Sequence, residues 1–308
     1  MRVLRAKVLG FCMGVRRAVE LAEGEVQPPA PGRRYFTLGP LIHNPQVLGS
    51  LKNQGLEILD EKKLPPDLSN AVVIIRAHGV SPGVEKELAG RGALVVDATC
   101  PRVKANQLKA RALAAAGRRI FLAGEADHGE IAGIRGYVTA EDGAALFCAV
   151  VGNAAEAAAA AEKLYREEPA AKTALIGQTT ISPEEYLAIG EGIRKFFPRL
   201  KIADTICGAT RDRQKALREL CGLADAVIVA GGKESANTRR LFAIAGAQGK
   251  PCWLAEGPED LPPEIAAYNT VGICAGASTP DEVIDAIEKA LVMGEYNPAL
   301  KRSSDEGY

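Results

Sequence analysis

Neither sign of charge is in surplus: Lys+Arg and Asp+Glu stand at 38 each in 308 residues. Without net charge there is no bulk attraction to a polyanion, so neither nucleic acid nor membrane is expected as a partner, and only a local basic pocket remains open. No stretch reaches the roughly 18 apolar residues that a membrane-spanning helix needs. The opening MRVLRAK runs straight into a short apolar strand, with no hydrophobic core of a signal peptide. Seven cysteines, an odd number without secretory context, argue against a disulfide framework. No CxxC pair is present, which leaves a zinc knuckle or a ferredoxin-type run unsupported. A Walker-type glycine loop is missing too, so an ATP-type site is not indicated. These absences point to a cytoplasmic protein.

What is present is a repeat. A hydrophobic fraction of 47% with 25% charged residues is ordinary for a globular chain, and this length favours two or three modules over one core. Three segments share a strand, a cysteine and an amphipathic helix: VLRAKVLGFC to Cys12, ALVVDATC to Cys100 and KIADTIC to Cys207. Each helix leads to a second strand that ends in a polar loop, reaching His43, His128 and Ser235 at 31, 28 and 28 positions after its cysteine. A third short strand follows (LEILDE, ALFCAVV, PCWLAE), then a fourth with its own polar loop and a helix start. The Ser-Pro or Thr-Pro pairs at 81–82, 182–183 and 279–280 predict an N-cap with proline in the first turn. All three histidines, His43, His78 and His128, fall in these loops at strand ends. The fold expected is α/β: three pseudo-threefold-related modules with small parallel sheets, whose ligand side is the carboxyl end of the strands. The boundaries predicted are 13–100, 101–203 and 204–292, with residues 1–12 completing the third sheet and 293–308 forming a tail. The alanine-rich run at 153–168 is expected to be helical.

If the modules pack with strand ends inward, Cys12, Cys100 and Cys207 meet. A thiolate beside a helix N-terminus suits a metal, because the dipole and free N–H groups favour anionic sulfur. Three such ligands would leave one iron of a 4Fe–4S cluster open for chemistry. The competing reading is three buried structural thiols, which is the expectation for Cys148, Cys221, Cys252 and Cys274 in apolar surroundings. On residue type alone Glu130 reads as a solvated carboxylate at a helix start.

The motifs carry the identification further. GFCMGV at 10–15, HN at 43–44, AHGVS at 77–81, DATCP at 97–101, HGE at 128–130, QTT at 178–180, CGATRDRQ at 207–214, SAN at 235–237 and AGASTPD at 275–281 together resemble the 4-hydroxy-3-methylbut-2-enyl diphosphate reductase family, the LytB-type enzymes of the non-mevalonate isoprenoid pathway. The resemblance covers nearly the whole chain. It implies an oxidoreductase that removes an allylic hydroxyl with two electrons and protons, giving isopentenyl and dimethylallyl diphosphates. It implies a 4Fe–4S cluster on Cys12, Cys100 and Cys207 with one open iron. It implies diphosphate binding by His43, His78, Ser235, Asn237 and Ser278, and a catalytic group of His128, Glu130 and Thr179 around the substrate hydroxyl, with Glu130 delivering the proton. A ferredoxin- or flavodoxin-type electron donor is the partner implied.

Two positions depart from that family's pattern. Gly129 stands where proline is usual, which should loosen the loop carrying His128 and Glu130. Ala236 stands where serine is common, which removes one hydroxyl from the diphosphate set. Two other enzyme or binding classes fit the residues less well. A quinolinate synthase-like enzyme would need arginines for carboxylates, and a cluster-based sensor would leave Glu130, Thr179 and the histidines without a role.

Overall fold

The computed structural model describes residues 1–27, 31–139, 144 and 146–296. The chain enters through β1 (Arg2–Arg5) and then α1 (Met13–Val26), directly after Cys12. The first module continues with β2 (Arg34–Leu38), α2 (Pro45–Asn53), β3 (Leu56–Leu59), β4 (Ala71–Ile75), α3 (Pro82–Gly90) and β5 (Leu94–Asp97). The second comprises α4 (Pro101–Ala115), β6 (Arg119–Ala123), α5 (Gly129–Arg135), β7 (Cys148–Val151), α6 (Ala154–Glu167), β8 (Thr173–Gly177), α7 (Pro183–Arg194) and β9 (Lys201–Ile202). The third comprises α8 (Gly208–Cys221), β10 (Ala226–Ala230), α9 (Ala236–Ala247), β11 (Cys252–Ala255), two 3₁₀ turns, β12 (Thr270–Ala275) and α10 (Asp281–Met293).

Among the described residues the strands form three four-stranded sheets in one repeated order: β3-β2-β4-β5, β7-β6-β8-β9 and β11-β10-β12-β1. Every pairing is parallel. In each sheet one edge strand leads into a cysteine: β5 into Cys100, β9 into Cys207 and β1 into Cys12. β1 lies along β12, with Arg2 opposite Thr270 and Arg5 opposite Ile273. Of the six inner strands, β4, β8 and β10 are buried at every position. This accounts for their unbroken β-branched and apolar runs, since helices cover both faces of a parallel sheet.

By packing, the chain forms two compact units. One holds residues 14–42 and 50–207; the other holds 1–13, 43–49 and the described residues from 208 onward. Within the first unit, α6 and α7 pack on the second sheet around Phe121, Leu175, Ile189 and Phe197. The alanine run is α6, capped by Asn153, whose carboxamide oxygen accepts from Ala155 and Glu156 N–H. The expected tail lies outside the described residues from 297 on; Met293 still belongs to α10. None of the helices among the described residues is long and apolar enough to cross a membrane.

The helix-start signals divide. Ser81 and Ser182 are N-caps followed by proline, and Ser182 completes a capping box with Glu185. The third expectation is corrected. Pro280, not Thr279, caps α10, and the Thr279 hydroxyl donates to the Ala230 carbonyl at 3.0 Å. That hydroxyl is fully buried beside the end of β10, and the Ala230 carbonyl, which also accepts from Gly276 N–H at 2.9 Å, supplies the acceptor it needs there.

Tyr186, also buried, has its hydroxyl 2.9 Å from the Leu175 carbonyl and 2.8 Å from the Ala203 carbonyl, sharing its hydrogen between them. It thus fastens β8 to the segment that leads to Cys207. Tyr186→Phe should lower stability by about 1 kcal/mol, because the buried Ala203 carbonyl loses this donor while the Leu175 carbonyl keeps the Ala203 N–H at 2.9 Å. Urea unfolding checks this, and an unchanged midpoint would show that the tether contributes nothing.

Candidate active site

Each of the three repeat cysteines sits between a strand end and a helix start, and each has its N–H fixed by a neighbouring loop carbonyl. Cys12 N–H donates to Ala277 at 3.1 Å, Cys100 to Ala77 at 2.9 Å and Cys207 to Thr179 at 3.0 Å. The accepting residues all lie in the loop after the inner strand of the same sheet. All three thiols are half-buried and outside any disulfide. The helices that follow, α1, α4 and α8, carry no acidic residue in the first turn, whereas α3, α7 and α10 do. Helix starts usually attract carboxylates, so the positive end of these three helices is left uncompensated beside the thiols. The other four cysteines differ: burial pushes Cys148 up to about 12 and Cys252 up to about 11, and raises Cys221 and Cys274 as well. Apolar surroundings suppress their thiolates, which suits core residues and not ligands.

In the unit holding residues 14–42 and 50–207, a carboxyl group is enclosed. Glu130 is 1% exposed, not solvated as its type alone suggests. Thr179 holds both of its oxygens. The backbone N–H donates to Oε1 at 2.7 Å and the hydroxyl donates to Oε2 at 2.7 Å. Burial raises Glu130 from 4.5 to about 7, against the two Thr179 hydrogen bonds, which pull it down. Near neutral pH this group is therefore poised between acid and conjugate base. His128 caps α5, its Nδ1 accepting from the Glu130 N–H at 3.1 Å, which leaves the ring proton of the neutral imidazole on Nε2. The rings of His78 and His128 meet edge to face with centroids 5.0 Å apart. Gln178 binds this region together, its carboxamide oxygen accepting from Glu125 N–H at 3.0 Å and its N–H₂ donating to the Thr180 hydroxyl at 3.0 Å.

The second unit gathers neutral hydrogen-bond donors. Ser235, Asn237 and Ser278 are all buried. Ser235 caps α9, and the Ser278 hydroxyl donates to the His43 carbonyl at 3.1 Å. Asn44, beside His43, accepts from Val47 N–H through its Oδ1 at 3.0 Å. The Nδ2 groups of Asn44 and Asn237 are buried without an acceptor. An unanswered buried donor costs about 1–3 kcal/mol, and two of them beside buried serines make an environment that an oxyanion would satisfy.

Several contributors escape a sequence reading. Asn44 was visible in the HN pair but signals only a cap. Arg213 is buried and donates to the Gly10 carbonyl at 2.6 Å, steadying the approach to Cys12. Asn106 donates to the Thr205 carbonyl at 3.0 Å, and the Thr205 hydroxyl accepts from Gly177 N–H at 2.8 Å, steadying the approach to Cys207. A polar residue on the buried face of an amphipathic helix was the signal for both Arg213 and Asn106. Arg76 is a lone cation directly after the apolar strand β4.

A family model described as LytB protein matches residues 3–292. A Treponema pallidum (strain Nichols) protein named 4-hydroxy-3-methylbut-2-enyl diphosphate reductase is 45% identical, covering 98% of this chain and 86% of its own length. One of the same name from Aquifex aeolicus (strain VF5) is 36% identical, covering 94% and 95%. Among solved structures, the E-1-hydroxy-2-methyl-but-2-enyl-4-diphosphate reductase from Plasmodium falciparum superposes with a TM-score of 0.84 at 25% identity, covering 99% and 95%. A second, described as (E)-4-hydroxy-3-methyl-but-2-enyl diphosphate reductase, the terminal enzyme of the non-mevalonate pathway, gives 0.66 at 35% identity, covering 95% and 99%.

The enclosed carboxyl makes stability depend on pH with a definite sign. Its folded value, about 7, lies above the ordinary 4.5, so the fold holds the proton more tightly than the unfolded chain. The resulting stabilisation is complete below pH 4.5 and is lost as pH rises through about 7. Glu130→Gln should remove this slope from urea midpoints measured between about pH 5 and 8. Thr179→Val should move the upper end of the window higher, because the carboxylate loses one stabilising donor. A slope identical in all three proteins would contradict the assignment to Glu130.

Proposed function

The chain belongs to the LytB protein family, and from that premise we propose that it converts 4-hydroxy-3-methylbut-2-enyl diphosphate into isopentenyl and dimethylallyl diphosphates. The allylic C–O bond breaks, two electrons and two protons enter, and the hydroxyl leaves as water. Glu130 is the observation that carries the reading: a carboxyl with both oxygens held by Thr179 and a value near 7 can give a proton to a leaving hydroxyl at physiological pH.

Cys12, Cys100 and Cys207 are the residues that would hold a 4Fe–4S cluster. Their chemistry fits such a group. They sit half-buried at helix starts free of acidic residues, where exposed N–H groups favour anionic sulfur. The Cys100 sulfur lies against the bare backbone of Gly14, so closely that any side chain there would strike it. When bound, such a cluster would supply electron transfer and Lewis acidity. The protein's own share is binding, orientation and proton supply. His43, Ser235, Asn237 and Ser278 take the diphosphate by neutral or charge-assisted donors, and the unanswered Nδ2 of Asn237 gains its acceptor. His78 extends the diphosphate set. His128 offers Nε2–H towards the substrate, and Thr179 keeps the Glu130 carboxyl in one orientation. The electrons come from a separate reduced carrier of the ferredoxin or flavodoxin type. The cytoplasm, where thiolates stay reduced, suits this chemistry.

Anaerobic turnover of the hydroxylated C5 allylic diphosphate with an artificial reductant tests the assignment. Both C5 diphosphates should form, and Glu130→Gln should lower kcat about 10²–10⁴-fold with little change in KM. Cluster-loaded protein that neither binds nor reduces the substrate would overturn the reading. A second expectation concerns Ala236, buried at the first position of α9. Ala236→Ser should tighten diphosphate binding about tenfold by calorimetry, the worth of one hydrogen bond to a charged group. Equal or weaker binding would show that the hydroxyl has no role there.

A further inference from the structure

Arg76 follows β4 and stands two residues before His78. Its side chain is 12% exposed. Nη1 donates to the Leu38 carbonyl at the end of β2, at 3.1 Å. Nη2 pairs with Glu61 at 3.0 Å, so the charge of Arg76 is answered by Glu61 and not by Glu130. The guanidinium plane lies in a slot between two glycines. A Cβ placed on Gly39 would come within 2.7 Å of Nη1. One placed on Gly129 would come within 3.0 Å of Nε and 3.1 Å of Nη2. At Gly39 a side chain would force Arg76 to shift, and at Gly129 the guanidinium would have to give by a few tenths of an ångström, so the two bare glycines take Arg76 without displacement.

Gly129 is the link between His128 and Glu130 and the first residue of α5, a helix of seven residues. Glycine has the widest backbone freedom of any residue, and a short helix gives little cooperative restraint. Left alone, this turn would let the Glu130 carboxyl wander from the Thr179 donors. The flat guanidinium packed against Gly129 opposes that freedom, and its own two anchors are the Leu38 carbonyl at the end of β2 and Glu61, two residues past β3. The sequence expectation of a loosened loop therefore meets a restraint from outside the loop.

Resting on the role of Glu130 in proton delivery, we propose that Arg76 is a positioning residue for the reaction. It holds the His128–Gly129–Glu130 turn by packing against the side-chain-free face of Gly129 and does not touch the reacting groups. Arg76 and a side chain at 129 are then alternative restraints that compete for the same space. Proline is favoured at a first helical position, where its fixed φ suits the helix and no N–H is required.

The test is a cycle of wild type, Arg76→Met, Gly129→Pro and the double variant, all cluster-loaded. Arg76→Met should lower kcat about tenfold with KM within about twofold, the pattern of a misplaced acid group. Gly129→Pro alone should also be slowed, because its ring meets the guanidinium. The double variant should regain most of the lost rate. Arg76→Lys should not restore it, since lysine keeps the charge for Glu61 without the plane. An unaltered kcat in Arg76→Met, a double variant slower than Arg76→Met, or full activity in Arg76→Lys would each overturn the proposal. Hydrogen exchange of the peptide spanning residues 125–135 reads the same coupling without substrate. It should be about tenfold faster in Arg76→Met and slow again in the double variant, with the strands of the first sheet unchanged. If no protein, wild type included, turns over the diphosphate while this exchange pattern holds, the proposed reaction fails and the restraint by Arg76 stands. Equal exchange in Arg76→Met and wild type would reject the restraint whatever the reaction.

Discussion

A strand cannot reach a parallel neighbour through a tight turn. The chain must cross the sheet, here mostly by a helix, and that requirement sends the loops from strand ends to helix starts to one edge. The strand order here repeats this three times. Cys12, Cys100 and Cys207 follow the edge strands, and His78, Thr179 and Ser278 follow the inner ones. The candidate site residues are therefore set down by the path of the backbone before any side-chain contact is considered. The cysteine N–H bonds to the loops after the inner strands then fix each thiol-bearing turn to its own sheet.

Enclosure is the second ingredient. A carboxyl group in water would titrate well below neutrality and would have no proton to give. Removing it from water raises its value, and two donors from one threonine stop the rise near 7. The balance is what makes the group useful. With burial alone it would stay protonated at physiological pH, and with hydrogen bonds alone it would stay ionised. The same reasoning separates the cysteines. Where desolvation dominates, as at Cys148 and Cys252, the thiol is kept neutral; the three at helix starts are half-buried, and the first turns of their helices carry no acidic residue.

Precise placement of Glu130 has to be supplied by neighbours that contribute no chemistry. Gln178 ties the loop after β6 to the loop after β8, and Arg76 spans from the end of β2 to the first residue of α5. Each substitutes side-chain packing for backbone stiffness. A turn built on glycine can then be both sterically open and well ordered.

The sequence by itself determined the modular plan. Period, β-branched runs and the cysteine-to-loop spacing reveal three parallel α/β modules. Local signals place Pro101 and the Ser81 and Ser182 caps, because caps and helix starts depend on residues only a few positions apart. The motif set is also local, and it carried the family. The tertiary structure alone decided the rest, because desolvation and close approach depend on residues distant along the chain. Glu130 reads as solvated until Thr179, 49 positions away, encloses it. Thr279 reads as a cap until the Ala230 carbonyl, also 49 positions away, claims its hydroxyl. Gly129 reads as a loosened hinge until Arg76 lies across it. In all three cases the residue type fixes what the group can do, and only the fold determines which neighbour it does it with.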